Sequence, residues 1–370
     1  MEYTYKYLHV LFFNDIKFYQ PLVKILDETE ELKPTDHFFI TDQMRVYESL
    51  RDYKNVRLVK QRELYKYMRK SKWIILHSMP LKKWQVILMP NSICGRIIWR
   101  TWGHDIRPVN KGLNIFDSLR RLVFSLYRKK VEHFFAIGIA NEIDIVNAEE
   151  VFCHKFRYFK LNYTDCSEEI GLIQRINPIS NDKKKYILVG HNCSPVDNHL
   201  KILDKLTKFK NEEIHLIIPL SYSDPQNGYK EQVIEKAYRI FGEDNVTILK
   251  DFMPHEEYIR LISKIDIAIM DMYYSNALGN VQYILYFKKK LYVCKNGNMD
   301  KAFLLEGIKP NYTRDIENQS FEEFVRNDYD DRYKNFCDLL YDENSTRIRW
   351  KTMMEECDKQ DICVRNEETT

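Results

Sequence analysis

The stretch from Lys185 to Leu206 holds the residue types best suited to bind an anion. It reads KYILVG, then HNCSPVDNH, then LKILDKL. An apolar run of strand length, a turn of Gly, Asn, Ser, Pro and Asp, and leucines at helical spacing predict a strand, a loop and a helix start. The first turn of a helix carries unpaired N–H groups and roughly half a positive charge, so Gly190, His191, Asn192 and Ser194 form a candidate phosphate cradle. An ordinary connection, in which Ser194 and Asp197 only cap the helix, has the same local signature. A second candidate closes another strand, where Ile97 to Trp102 (IIWRTW) runs into Gly103, His104 and Asp105. That puts an imidazole and a carboxylate at a strand end. Neither G-x-G-x-x-G nor G-x-x-x-x-G-K-[ST] occurs, which removes the main support for a dinucleotide oxidoreductase or a P-loop phosphotransferase.

The elements that must position these groups form two series. In the first half, Leu8–Asn14, His37–Thr41, Val56–Val59, Trp73–His77, Ile97–Trp102, Phe134–Gly138 and Tyr158–Leu161 are apolar runs of strand length. Helical patterns lie between them, as in Phe18–Leu32, Gln61–Lys70 and Leu113–Lys130; Pro21 sits early in the first, where proline is least costly. The polar segment Asn177–Lys185 reads as a linker. Beyond it come five more strand-like runs, starting near residues 186, 214, 246, 265 and 290, with helical patterns such as Lys230–Phe241 and His255–Ser263. Strands alternating with helices imply parallel pairing. The predicted fold class is α/β, with two Rossmann-like domains facing a cleft. The expected domains are residues 1–177 and 178–340, with a charged helical segment, 341–370, packing back on the first.

A chain of 370 residues can bury two cores of this kind. The eight cysteines never form C-x-x-C and have no metal-ligand spacing with the histidines, so reduced thiols are expected and no metal or cofactor. The opening MEYTYKYLHVLFF lacks the pattern of a secretory signal. Trp84–Gly95, an uncharged apolar stretch, falls short of the roughly 20 residues that span a bilayer. A net charge of +3 hides an asymmetry: residues 51–130 hold 20 Lys and Arg against 4 Asp and Glu. Such a block fits a polyanionic surface, either phospholipid or nucleic acid. The helical pattern Leu113–Lys130 is basic and amphipathic, with Leu119, Leu122, Val123, Leu126 and Tyr127 on one face.

Two consecutive βα series without a dinucleotide motif suit a glycosyltransferase of the GT-B architecture, and five segments carry a closer likeness. They are Ile74–His77; Trp102-Gly103-His104-Asp105; Val189 to Ser194 with His199; Ile218-Pro219-Leu220-Ser221-Tyr222; and Asp271 to Asn280. In this order and spacing the chain resembles the TDP-N-acetylfucosamine:lipid II N-acetylfucosaminyltransferase family (4-alpha-L-fucosyltransferase-like, glycosyltransferase family 56), over about residues 70–295. The match departs from the family pattern at His191, Asn192, Ser221, Ala277 and Arg107. Ala277 replaces the first glycine of a G-x-G turn.

The resemblance implies transfer of a deoxyamino sugar from a TDP-sugar, or a UDP-sugar, to a polyprenyl-diphosphate-linked saccharide in bacterial surface polysaccharide synthesis. It also implies a peripheral place on the cytoplasmic side of the inner membrane, docked on anionic lipid. Breaking a sugar–diphosphate bond develops charge on the departing phosphate, which fixed donors must neutralise. The N–H groups after Gly190 and after Gly279, with the amides of Asn276 and Asn280, are candidates. Gly279 is expected to allow a close backbone approach, Tyr222 to stack on the base or bond a phosphate, and Asp271 to mark the donor side. Asp105 is the candidate general base and His104 the weaker one. His77 and His199 are read as structural. Two other readings fit the same outline: a sugar-nucleotide epimerase of similar architecture, which needs catalytic carboxylates and no basic membrane face, and a non-catalytic nucleic-acid-binding protein. Nucleic-acid readers show a recognition module or interleaved basic and aromatic residues, whereas most aromatics here follow the core periodicity, so no nucleic-acid partner is expected.

Overall fold

The computed structural model describes residues 3–106, 115–140, 142–163, 173, 175–176, 183–274, 277–333 and 343–367. The chain divides into two units: Met1–Cys166 with Leu340–Thr370, and Ser167–Leu339.

The first unit is built on a seven-stranded sheet of β1 (Tyr5–Val10), β2 (His37–Thr41), β3 (Val56–Leu58), β4 (Ser71–His77), β5 (Ile97–Arg100), β6 (Ala136–Ile139) and β7 (Tyr158–Lys160). Their order is β3-β2-β1-β4-β5-β6-β7, and every ladder is parallel. Parallel sheets are covered by helices on both faces, so their strands read as continuous apolar runs. In β1, Leu8 and Val10 enter one core while Tyr7 enters the other; in β4, Ile74 and Leu76 divide from Trp73 and Ile75 in the same way. The second core is closed by the C-terminal helix, Glu343–Glu367, which buries Trp350, Met353, Met354 and Cys357. Trp350 Nε1 donates to the Asn162 carbonyl at 2.9 Å.

The second unit repeats the plan with β8 (Lys185–Val189), β9 (Ile214–Pro219), β10 (Val246–Leu249), β11 (Ile267–Met270), β12 (Lys290–Val293) and β13 (Asn311–Tyr312), in the order β10-β9-β8-β11-β12-β13. All of its ladders are parallel as well. The sequence reading missed β13, which is two residues long and shows no periodicity.

In both sheets the order reverses beside the first strand of the unit, between β1 and β4 and between β8 and β11. Chains leave those two strand ends in opposite directions, and the crevice outside them is where open parallel sheets take ligands. Among the described residues, no helix is long and apolar enough to cross a membrane.

Candidate functional site

Gly190 leaves β8 at the reversal point of the second sheet. Its φ of +69° is a left-handed conformation, and a Cβ there would lie 2.4 Å from His199 Nε2, so only glycine fits. The chain then turns around Asp197, whose side chain is fully buried. One oxygen, Asp197 Oδ2, accepts the backbone N–H of His191 at 2.8 Å and that of Asn192 at 3.1 Å, and His191 Nδ1 lies 2.9 Å from it. Burial pushes this carboxyl up, but the His191 ring and amide outweigh burial and hold it below the usual range. Ser194 N–H donates to Asn192 Oδ1 and Ser194 Oγ accepts from Val196 N–H. The helix begins only at His199, after a short 3₁₀ turn.

These bonds correct the expected phosphate cradle. The amides after Gly190 are already committed to Asp197, as charge-assisted bonds to a desolvated carboxylate. A phosphate would have to displace that carboxylate, which like charge opposes. His191 and Asn192 are buried and bond one another, Asn192 Nδ2 lying 3.0 Å from His191 Nε2. His199 is structural, with Nδ1 3.1 Å from the Tyr229 hydroxyl, and burial lowers its pKa to about 4.

Among the described residues the other half of this rim is open. Helix Leu278–Tyr286 starts beside the end of β11, and its first N–H groups have no acceptor within the helix. Gly279 is exposed in that turn, and a Cβ there would meet nothing within 4 Å. The expected close approach of the protein's own backbone is therefore absent, and the left-handed residue is Ala277, at φ 59°. Ala277 stands where the family pattern has glycine, so a local strain of about 1 kcal/mol sits at this helix start. Asn280 is half-buried in the same turn. Asp271 follows β11; burial raises its carboxyl, only partly countered by a Thr313 hydrogen bond and by Lys205 and Lys201, and its carbonyl accepts from Asn198 Nδ2 at 2.8 Å. Asn276, Arg107 and the His104 side chain lie outside the described residues.

At the ends of β9 and β10, Tyr222 is 43% exposed and Phe252 82%, with ring centres 6.4 Å apart. His255 Nε2, just beyond Phe252, lies 2.8 Å from the Tyr283 hydroxyl, tying this aromatic pair to helix Leu278–Tyr286. Phe252 went unremarked in the sequence because it closes an apolar run, VTILKDF, that looks like core throughout. Gly297 was also missed. A Cβ there would lie 3.0 Å from the Tyr273 carbonyl, so glycine lets the turn after β12 pack on the turn after β11.

In the first unit Asp105 is occupied. Its Oδ1 accepts the Trp102 backbone N–H at 2.9 Å, and its Oδ2 accepts Ser78 Oγ at 3.1 Å and Trp99 Nε1 at 3.2 Å. These bonds give Asp105 a positioning role that the general-base assignment did not include. Three donors from three segments make Asp105 the residue that holds the Trp102–Ile106 turn, its two oxygens together accepting three hydrogen bonds.

Behind that turn runs a buried polar string. Trp102 Nε1 donates to Tyr163 Oη at 2.6 Å; His77 Nδ1 lies 2.9 Å from that hydroxyl; His77 Nε2 and His9 Nδ1 are 3.0 Å apart; His9 Nε2 and His37 Nδ1 are 2.9 Å apart; and His37 Nε2 lies 2.9 Å from the Leu32 carbonyl. One tautomer assignment satisfies every link. The Leu32 carbonyl can only accept, so His37 carries its proton on Nε2, His9 must then donate from Nε2, and so must His77, which leaves its Nδ1 to accept from Tyr163. Burial lowers His37 to about 4 and His77 to about 3, and burial together with His37 and His77 holds His9 well below its ordinary value. Trp350 stacks over His77.

Neutral buried histidines make stability pH-dependent. Above pH 6.5 they are uncharged in both states. Below it the unfolded chain binds protons that the folded chain refuses until about pH 4, so stability falls across that window by up to about 1.4 kcal/mol per pH unit per histidine. Urea midpoints measured at pH 7.5, 6.5, 5.5 and 4.5 should decline from 6.5 downward; a flat profile would mean the histidines are charged or solvated.

Among the described residues no group of three His, Cys, Asp or Glu could hold a metal ion. The two sheets have counterparts in solved structures. A glycosyltransferase from Rickettsia africae is similar at a TM-score of 0.65 and 13% identity, covering 96% of this chain and 98% of that one. A UDP-forming trehalose-phosphate synthase from Burkholderia vietnamiensis is similar at 0.57 and 10% identity, covering 96% and 100%. Anabaena HepE, solved in complex with UDP and glucose, is similar at 0.56 and 10% identity, covering 95% and 99%. At such identities the likeness is one of fold, the α/β GT-B architecture. The family described as 4-alpha-L-fucosyltransferase glycosyl transferase group 56 matches residues 35–319, well over half of the sequence. The chain belongs to that family and is a glycosyltransferase.

Proposed function

We propose that the protein moves a deoxyamino sugar, of the N-acetylfucosamine kind, from a TDP-sugar or UDP-sugar to a polyprenyl-diphosphate-linked saccharide, on the cytoplasmic side of the bacterial inner membrane. The observation that carries the donor assignment is the open start of helix Leu278–Tyr286 at the reversal point of the second sheet. With the amides after Gly190 bound to Asp197, the departing diphosphate is best neutralised by the N–H groups of Leu278, Gly279 and Asn280. Tyr222 and Phe252 offer the base two exposed rings on the same rim. Asp271 is suited to accept from an N–H or O–H of the sugar. Gly190, His191, Asn192 and Ser194 then shape the floor rather than grip the phosphate.

The lipid-linked acceptor is supported by the surface of the first unit. Helix Ile115–Val131 buries Tyr127 and Val131 yet exposes Leu119, Leu122 and Leu126, at 60%, 57% and 46%. Trp84 and Leu88 are exposed on and beside the neighbouring helix Lys83–Ile87. Arg120, Arg121 and Lys129 are exposed among them. An apolar stripe edged with cations suits an anionic bilayer, where each Lys or Arg contributes on the order of 1 kcal/mol.

Two measurements test this reading. Calorimetric titration with TDP should show binding that Gly279→Val weakens about tenfold or more, without lowering the melting temperature, since the added side chain meets only the ligand's space. Unchanged affinity in the folded variant would move the diphosphate elsewhere. In flotation with phosphatidylglycerol vesicles, the protein should rise at low salt and be released at high salt, and Leu119→Glu with Leu122→Glu should abolish attachment; equal recovery on zwitterionic vesicles would refute an anionic-surface partner.

A further inference from the structure

We propose that Asp15 is the general base of the transfer, taking the proton of the acceptor hydroxyl beside the partly exposed rings of Phe13, Phe18 and Trp102. The inference rests on the glycosyl-transfer reading above and names its missing base.

Position comes first. Asp15 follows β1, the strand at which the order of the first sheet reverses, and precedes helix Ile16–Glu28. Groups at that end of a parallel sheet face the ligand crevice. Availability comes second. An Asp at a helix N-cap ordinarily bonds the N–H two or three residues on. Here the backbone carbonyl of Asp15 accepts Phe18 N–H at 3.0 Å and Tyr19 N–H at 3.2 Å, while the side chain makes no cap bond. Among the described residues that half-buried carboxylate has no hydrogen bond and no ion pair, in contrast to Asp105 with its three donors.

The surroundings are those of a sugar site. The Phe13 and Phe18 rings each lie 5.7 Å from Trp102, and all three side chains are partly exposed. Apolar faces of a pyranose pack on such rings while its hydroxyls seek polar partners at the edge. The Tyr19 ring lies 5.8 Å from Trp102; its buried hydroxyl faces the Phe13 backbone without forming a hydrogen bond of good geometry. Such an orphaned group has a reason to exist where a ligand hydroxyl completes it. Burial, with a contribution from the charge of Asp15, raises the pKa of both Tyr19 and Tyr163. Neither phenol competes with Asp15 as a base, and Tyr163 remains the donor that the histidine string requires.

The step balances as a single displacement. The acceptor O–H proton passes to an Asp15 carboxylate oxygen, and the acceptor oxygen bonds the anomeric carbon. The bond from that carbon to the diphosphate breaks, and its electron pair leaves with the nucleoside diphosphate. Asp15 returns the proton to water once the products part. The anomeric configuration inverts.

The test compares Asp15→Asn, Asp15→Glu and Asp105→Asn in the full chain, with TDP-N-acetylfucosamine and a polyprenyl-diphosphate disaccharide as probes. Asp15→Asn should lower kcat by about 10² to 10⁴-fold and abolish the acidic limb of the pH–rate profile, with TDP affinity and melting temperature unchanged. Asp15→Glu should restore part of kcat. Asp105→Asn should instead lower the melting temperature and raise KM for the acceptor. Asp15→Asn keeping more than a tenth of kcat, or a product with retained configuration, would overturn the proposal while leaving the transferase reading intact. A wild-type protein that neither binds TDP nor turns over would overturn both.

Discussion

Most buried polar groups at the carboxyl ends of these two sheets find their partners inside the protein, and Tyr19 Oη is an exception. Both sheets are parallel and covered on both faces, and an unpaired donor or acceptor buried at their strand ends costs roughly 1–3 kcal/mol. The second unit meets this demand with one carboxylate, Asp197, which collects the His191 and Asn192 amides. The first unit meets it with a string running from Trp102 through three histidines to the Leu32 carbonyl. What these networks consume is unavailable to substrate. Among the described residues, what they leave open is where the proposed chemistry is placed: the helix start at Leu278, the exposed rings of Tyr222 and Phe252, and the carboxylate of Asp15.

The two networks also determine which parts of the protein are rigid. His9 and His77 lie beneath Trp350, so the C-terminal helix Glu343–Glu367 seals the string from water as well as completing the core. Because each ring donates from Nε2 and accepts at Nδ1, none can be protonated without breaking a link to a neighbour. The string fixes Tyr163, Tyr163 fixes the Trp102 indole, and Asp105 fixes the Trp102 backbone. Trp102 is thereby held from both ends, which is the preorganisation that the acceptor site proposed beside Asp15 would require.

Much of the fold was legible because parallel strands declare themselves as unbroken apolar runs: HFFIT, WIILH and IIWR appear as β2, β4 and β5 within two residues of their expected bounds. The site was legible only in outline. Gly190 was found through its turn chemistry, but its neighbours' amides were assigned to a phosphate because nothing local tells that Asp197, five to six residues on, folds back to take them. Asp105 was read as a base for the same reason, since Ser78 and Trp99 reach it only through the β4–β5 pairing. His9, His37 and His77 lie 28 and 68 residues from one another along the bonded chain; only the register of β1 against β2 and β4 brings them together. The leucines of Ile115–Val131 were legible as an apolar face, but whether a face meets the core or water is a tertiary fact.

The central claim is that the donor diphosphate rests on the open start of helix Leu278–Tyr286 and not on the occupied Gly190 turn. Amide hydrogen exchange with and without TDP tests it most directly. The account expects TDP to slow exchange at residues 278–280 and in the loops around Tyr222 and Phe252, with the His191 and Asn192 amides slow in both states because Asp197 already holds them. Fast His191 and Asn192 amides that slow only when TDP is added, with residues 278–280 unchanged, would contradict it.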